Sequence, residues 1–317
     1  MADINLGQIA ATTMENYHDT LVDNIFKKHA LLNHLKENGG TKMYDGGRKI
    51  RVPVMYGSNS TVKAFSGTDS LDLTYQEGVD AAEYDYKFYD VSVVFSFTDS
   101  LLNQGKSQVI DLLKGKIKQA ELSLAERLND DLYNGADSDA KEVTGLETIV
   151  EDNGTYGGIN GTSYAWWRSY VDDTAEALSF ADIRTAKNTA NNGNGGSKVS
   201  LIVTTQTLYE KFFSLLTPNF QMNPVMTKET KRLADASFTA VEFEGVPVTF
   251  DESCSAGSMY FINVDNFKLG IMNGADFKTV KKAEPADQHI SVQHIVFGGN
   301  TVVDRRASLA ALKNKTA

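Results

Sequence analysis

A chain of 317 residues with 41% hydrophobic content is long enough for two modest domains or one elaborated one, and it can bury a substantial core. A net charge of −10, with no Lys/Arg block, argues against a protein that grips nucleic acid, although an acidic chain can still enclose it. The single cysteine, Cys254, excludes an intrachain disulfide and suits a reducing compartment.

The N-terminus carries acids and no continuous apolar run, so it does not read as a secretory signal. No window approaches the ~20 apolar residues that a membrane helix needs. These features predict a soluble protein made in a cytosol, with the Asn-x-Thr triplets at Asn59, Asn153 and Asn160 left unglycosylated.

Met14, Tyr17, Leu21, Ile25, Leu31, Leu32 and Leu35 fall at loose helical spacing, and Gly39-Gly40 ends the pattern. An arm that packs on something else fits this stretch, and so does an ordinary first helix. Residues 48–56, RKIRVPVMY, alternate as a strand with Ile50, Val52, Val54 and Tyr56 on one face. Pro53 cannot donate a ladder bond, which places the strand at an edge or at a bulge. A structureless loop over 57–78 would be unusual in a compact domain. The spacing instead predicts a hairpin, with Val62 to Phe65 and Leu71, Leu73 and Tyr75 as short strands around the turn SGTDS.

The next stretch, Ala82 to Phe97, alternates throughout, yet its apolar face changes. Tyr84, Tyr86 and Phe88 are even; Val91, Val93, Phe95 and Phe97 are odd. Two explanations fit. The distal half covers its side chains on a neighbouring chain, or a bulge resets the register within one sheet. Residues 99–134 then carry a helical stripe of Val109, Leu113, Ile117, Ala120, Leu124, Leu128 and Leu132, with Asp99 or Ser100 as cap and Gly135 as stop. The strand would span about 53 Å at ~3.3 Å per residue. The helix would span about 51 Å at ~1.5 Å per residue. A compact globule of this length has a radius of gyration near ~20 Å. A flat or elongated molecule with a projecting hairpin is therefore expected.

Residues 136–180 are loop-rich. Ser179 with Asp182 forms a capping-box start for a helix over roughly 180–191, which NNGNGG ends. VSLIVTT reads as a buried strand, and Thr205 caps the helix that follows. FEGVPVTFD and GSMYFINV read as strands, and 277–313 as further strands.

The sequence holds no convergent set of catalytic or ligand side chains. Gly193, Gly195 and Gly196 lie between a helix and the next strand, the wrong order for a phosphate cradle. His18, His29, His34, His289 and His294 are scattered, with no Cys or carboxylate set to complete a metal site, and read as surface or interface residues. Cys254 has no evident His partner. Trp166 and Trp167 read as either a binding hot spot or a pin for the long loop on its own core, the second being favoured. No catalytic residue, cofactor or metal is expected.

The stretch Phe243 to Ile271 resembles the late strands of major capsid proteins of tailed bacteriophages, the Hong Kong 97-like shell fold. The resemblance rests on Phe243, Gly245, Pro247, Val248 and Asp251, then Tyr260, Phe261 and Asn263. The VSLIVTTQTLYEKFFSLL unit and the order of arm, hairpin, long helix and mixed domain are similar too. The resemblance implies an α+β fold. It comprises an N-terminal arm (1–40), an extended loop hairpin with its stems (41–98), a spine helix in a peripheral domain (99–135), an axial domain (136–272) and C-terminal strands returning to the peripheral domain (273–317).

It also implies a structural shell protein that self-assembles as hexamers and pentamers around packaged double-stranded DNA, without sequence-specific binding and without a membrane. The compartment would be the virion, after assembly in host cytoplasm. A portal is implied. So is a separate scaffolding protein, since about a hundred residues of scaffolding segment do not fit before the hairpin. Under this reading Val62, Phe65, Leu71, Leu73, Tyr75, Tyr84, Tyr86 and Phe88 contact another subunit. An encapsulin-type compartment shares the fold and is the alternative; a cytosolic α/β enzyme using 180–215 is the reading from another class. Lys63 lies in the hairpin, but no matching Asn or acid is evident, and no cross-link is expected.

Overall fold

A computed structural model describes residues 29–96, 98, 112–135, 141–192, 198–216, 241–283 and 290–317. Its first elements are α1 (Ala30–Glu37), β1 (Thr41–Tyr44), β2 (Lys49–Met55), β3 (Val79–Asp85), β4 (Lys87–Ser96) and α2 (Leu112–Asn134). Then come α3 (Leu146–Ile149), β5 (Thr155–Tyr156), β6 (Ile159–Asn160), β7 (Tyr170–Asp172), α4 (Phe180–Asn191), β8 (Leu201–Thr204) and α5 (Gln206–Leu216). The chain closes with β9 (Val241–Phe243), β10 (Val246–Phe250), β11 (Met259–Ile262), β12 (Phe267–Met272), β13 (Lys278–Ala283), β14 (Ile290–Val303) and β15 (Ala310–Leu312).

Two sheets organise these strands. The first is built on β14, which pairs antiparallel with β4, β12 and β13, and β12 also holds β1 in parallel. The odd residues of β4 face α2. Val93 is buried, the Phe95 ring lies under the Lys116 ammonium, and the Tyr89 hydroxyl donates to Asp131 at 2.6 Å. The expected stripe on α2 is present from Ile117 onward, with Ala120, Leu124, Leu128 and Leu132 buried. Val109 and the capping residues Asp99 and Ser100 lie outside the described residues.

The second sheet runs β7-β15-β11-β8-β10-β9. Its central strands are buried on both faces, which explains their continuous apolar runs. Ile202, Met259, Phe261, Ala310 and Leu312 face α4 and α5, whereas Leu201, Val203, Tyr260, Ile262 and Ala311 face a larger core shared with α1, α2 and the first sheet. The capping box at α4 is formed: the Ser179 hydroxyl accepts from the Asp182 N–H, and the Asp182 carboxylate accepts from the Ser179 N–H.

Several expectations change. Residues 82–96 are not one strand, and Phe97 lies outside the described residues. The chain breaks at Tyr86 and moves from a two-stranded ladder with β2 into the first sheet. That change of partner produces the switch of face, so neither a bulge nor a neighbour's cover is needed for it. Within 57–78 a turn forms at Ser66–Asp69, but no ladder flanks it. Residues Val241 to Phe250 form a tight hairpin rather than one strand. Sheet membership also crosses the boundary expected at 272. β12 joins the first sheet, and β15 returns to the second.

The residues that carry the resemblance have structural roles. Phe243 stacks on Phe180 with ring centroids 5.8 Å apart, and Tyr260 packs on Tyr133 at 6.4 Å. Pro247 pairs only with β9, because pairing of β10 to β8 begins at Val248. Asn263 turns the chain into β12, its side chain accepting from the Asp265 N–H. Glu244 and Gly245 have φ of 48° and 80°, the left-handed pair of a two-residue hairpin turn. A Cβ on Gly245 would meet nothing within 4 Å, so a substitution there acts through the backbone alone. Gly245→Val is expected to destabilise the protein by about 1–3 kcal/mol, and Gly245→Asn by less, because Asn tolerates the left-handed region. Equal denaturation midpoints for the two variants would contradict this account of the turn.

Candidate assembly surface

The β2–β3 ladder ends where Tyr56 donates its N–H to Gly78 at 2.9 Å. Beyond it the ribbon is held by local bonds. Asn59 accepts from the Thr61 N–H, Asp72 accepts from the Thr74 N–H, the Ser60 hydroxyl meets Gln76, and Lys63 reaches the Ser70 carbonyl. Short Asx turns offer the backbone partners that compete with a ladder. Apolar side chains are left uncovered: Leu73 is 91% exposed, Tyr75 85%, Val62 83%, Phe65 67% and Leu71 60%. Monomeric proteins seldom present so much apolar surface on one element unless it is a contact site.

The eight residues expected at a subunit contact do not stay together. Five of them are the exposed ribbon residues just named. Phe88 is exposed elsewhere, on the open face of β4. It lies over Gly298, and register places Val94 and Val280 on the same face. Tyr84 is a correction. It is buried in its own chain, where its ring meets Tyr156 and its hydroxyl donates to the Val303 carbonyl at 2.7 Å. Burial pushes its ionisation well above the usual tyrosine range. Tyr86 is half-buried, with its hydroxyl donating to Gly46. Alternation had put both on the ribbon's apolar face, but that face looks into the body here.

Two exposed residues at the ribbon root, Met55 and Val79, were not anticipated as contacts. Met55 was legible as lying off the apolar face of β2. Tyr56 was not legible as a contact: its ring stacks on Trp166 at 5.1 Å with 9° between the planes. Trp167 is fully buried and donates its indole N–H to the Tyr156 carbonyl, the loop-pinning role favoured from the sequence.

Several of the chemistry-bearing side chains are engaged in structure. His34 is buried, which corrects its expected surface or interface position. Its Nε2 lies 3.3 Å from Ser200 Oγ, a spacing seen in nucleophile–base pairs. Ser200 Oγ is already bonded to the Ile262 carbonyl and the Val264 N–H, so the pair ties α1 to the second sheet. His294 pairs with Asp90 at 2.9 Å across β14 and β4; His18 and His289 lie outside the described residues. Burial pushes the Cys254 thiol up, away from the thiolate a nucleophile needs.

Asp172, Glu176 and Asp182 converge closely enough to suggest a cation site. Their counter-ion is the buried Lys315 ammonium, 2.9 Å from Asp172 and 2.7 Å from Glu176. A hollow of about 490 Å³ lies beside Glu147, Glu151 and Arg306. The Arg306 guanidinium donates to the carbonyls of Ile149 and Asn153, and Glu151 is bonded to Lys313. The glycines 193, 195 and 196 lie outside the described residues. Among the described residues, no helix is long and apolar enough to cross a membrane.

No family model and no curated protein matches the chain. Solved structures do. A cyanophage A-1(L) capsid protein matches with a TM-score of 0.72 at 19% identity, over 96% of this chain and 97% of that one. A protein of Mycobacterium phage Bobi matches with a TM-score of 0.58 at 13% identity, over 98% and 99%. An encapsulin complex from Synechococcus elongatus matches with a TM-score of 0.60 at 12% identity, over 100% and 96%. Along nearly its whole length, this chain shares the fold of these phage and encapsulin chains.

Proposed function

We propose that this protein is a structural shell subunit, the major capsid protein of a tailed phage, with no catalytic role. Copies join as hexamers and pentamers into an icosahedral shell around double-stranded DNA. The near-complete match to capsid chains carries this reading, and the exposed ribbon supports it. In Hong Kong 97-like terms, the first sheet with α2 forms the peripheral part. The second sheet with α4, α5 and β15 forms the axial part, and residues 56–78 form the extended loop. One chain must fill several near-equivalent positions, and a thin ribbon adds contact area while tolerating changes in angle. Modest contacts repeated over neighbours reinforce one another.

The net charge of −10 gives the chain little grip on packaged DNA. A separate scaffolding protein and a portal complete the assembly in host cytoplasm. The encapsulin match favours a second reading, a compartment around an enzyme cargo. Native mass measurement and negative-stain imaging of the chain expressed alone test the proposal. Rings of five or six copies, or closed shells, are expected. A monodisperse monomer at high concentration would refute both readings. A co-purifying enzyme inside shells produced in the native host would favour the second.

A further inference from the structure

The root of the ribbon has an organisation that the shell reading does not itself require. The body offers β2 and β3 a seat made from residues 156–167. The Glu83 N–H donates to the Gly157 carbonyl at 2.9 Å, and the Tyr84 ring meets Tyr156 at 5.2 Å. Above these contacts Tyr56 lies flat on Trp166, which meets the buried Trp167 edge-on at 5.5 Å. The Trp166 indole nitrogen is buried without a hydrogen-bond partner, so ring contacts with Tyr56, Tyr164 and Trp167 and packing on the core orient the ring. One residue further out, Gly57 and Gly78 face each other. A Cβ on Gly57 would meet Gly78 Cα at 3.3 Å, and a Cβ on Gly78 would meet the Gly57 carbonyl at 3.2 Å. Past that pair no side chain of the ribbon is buried.

The geometry points to Trp166 as a positioning residue that sets the direction in which the ribbon leaves the body, with Gly57 and Gly78 as the pivot. This inference rests on the shell reading for its use, but its geometry can be tested apart from it. Leverage gives the device its consequence. Roughly ten residues of ribbon reach about 33 Å at ~3.3 Å per residue, so a tilt of about 10° at the root moves the tip by about 6 Å. That exceeds the reach of a side-chain contact, about 4–4.5 Å. A ribbon aimed by the Tyr56–Trp166 stack arrives at a neighbour within contact range; an unaimed one sweeps past it. The glycine pair leaves room for the small range of angles that near-equivalent positions demand.

The test measures the distance between spin labels at Thr68→Cys, in the ribbon turn, and Ala175→Cys, on the body. It uses the full chain held below its assembly concentration; Cys254 is buried and stays unlabelled. A narrow distance distribution is expected in the parent chain. Trp166→Ala should broadens it at least twofold, with a smaller loss of melting midpoint than Trp167→Ala, and Trp166→Phe should restore it. Tyr56→Ala, which removes the other ring without touching the buried loop, should broaden it equally and covers the case of a Trp166→Ala chain that does not fold. Equal widths in the parent and the Tyr56→Ala chain, or a broad distribution in the parent, would overturn the inference. The shell reading fails separately, if the parent chain forms no rings or shells when concentrated.

Discussion

Replacing residues 58–76 by Asn-Gly is expected to yield a folded subunit that no longer closes shells. The β2–β3 register pairs Met55 with Val79 and continues to Tyr56 and Gly78, so a two-residue Asn-Gly turn closes the ladder where the ribbon now begins. Nothing buried is lost, since every residue from Val62 to Tyr75 is exposed. Thermal stability should therefore stay close to that of the parent. Assembly should not. Covering an apolar side chain contributes about 1.5–3 kcal/mol. Five such side chains on each copy represent on the order of 7–15 kcal/mol. Loss of even about 4 kcal/mol of this lowers an association constant roughly a thousandfold. Particle sizing and a melting curve on the same preparation check both halves. Intact shells would remove the ribbon from the account, and a collapsed melting curve would show that it serves the fold.

Asp251→Ala is the substitution expected to harm the fold most. The carboxylate is buried and joins three parts of the molecule. Its Oδ2 accepts from the Ala30 N–H at the start of α1, at 3.0 Å; its Oδ1 accepts from the Asn129 amide on α2 and from the Ser253 N–H. It therefore caps α1 from a position far along the chain, where a negative charge also suits the helix N-terminus. Alanine leaves buried donors unsatisfied, each worth about 1–3 kcal/mol. A total loss of about 3–5 kcal/mol is expected, with amide exchange in residues 30–37 accelerating more than in β11. An unchanged midpoint with unchanged exchange in α1 would contradict the role assigned to Asp251.

Local signals read well in this sequence. The alternation of β2, the stripe of α2 and the Ser179–Asp182 box depend on neighbours a few residues away. What escaped depends on partners far along the chain. Alternation over 82–97 shows that side chains take turns, but not that the strand changes sheets at Tyr86. The same gap hid the burial of Tyr84 against Tyr156 and Val303, and the burial of His34 beside Ser200. The motif residues from Phe243 to Asn263 were legible as a set before their reasons were. The positive φ of Gly245 and the reach of Asp251 to α1 supply two of those reasons. The candidate surface was legible in its exposed part because Val62, Phe65, Leu71, Leu73 and Tyr75 lie among polar turn residues that give them nothing local to pack on. The Tyr56–Trp166 stack was not, since nothing in either segment points to the other.

In the proposed shell, ribbon side chains find cover on a second copy. Placing a photoreactive phenylalanine analogue at Leu73 and irradiating the concentrated full-length chain tests it most directly. A covalent ladder of dimers and larger species is expected, with adducts mapped to another subunit. Adducts confined to the parent chain, with no covalent dimer at any concentration, would contradict it.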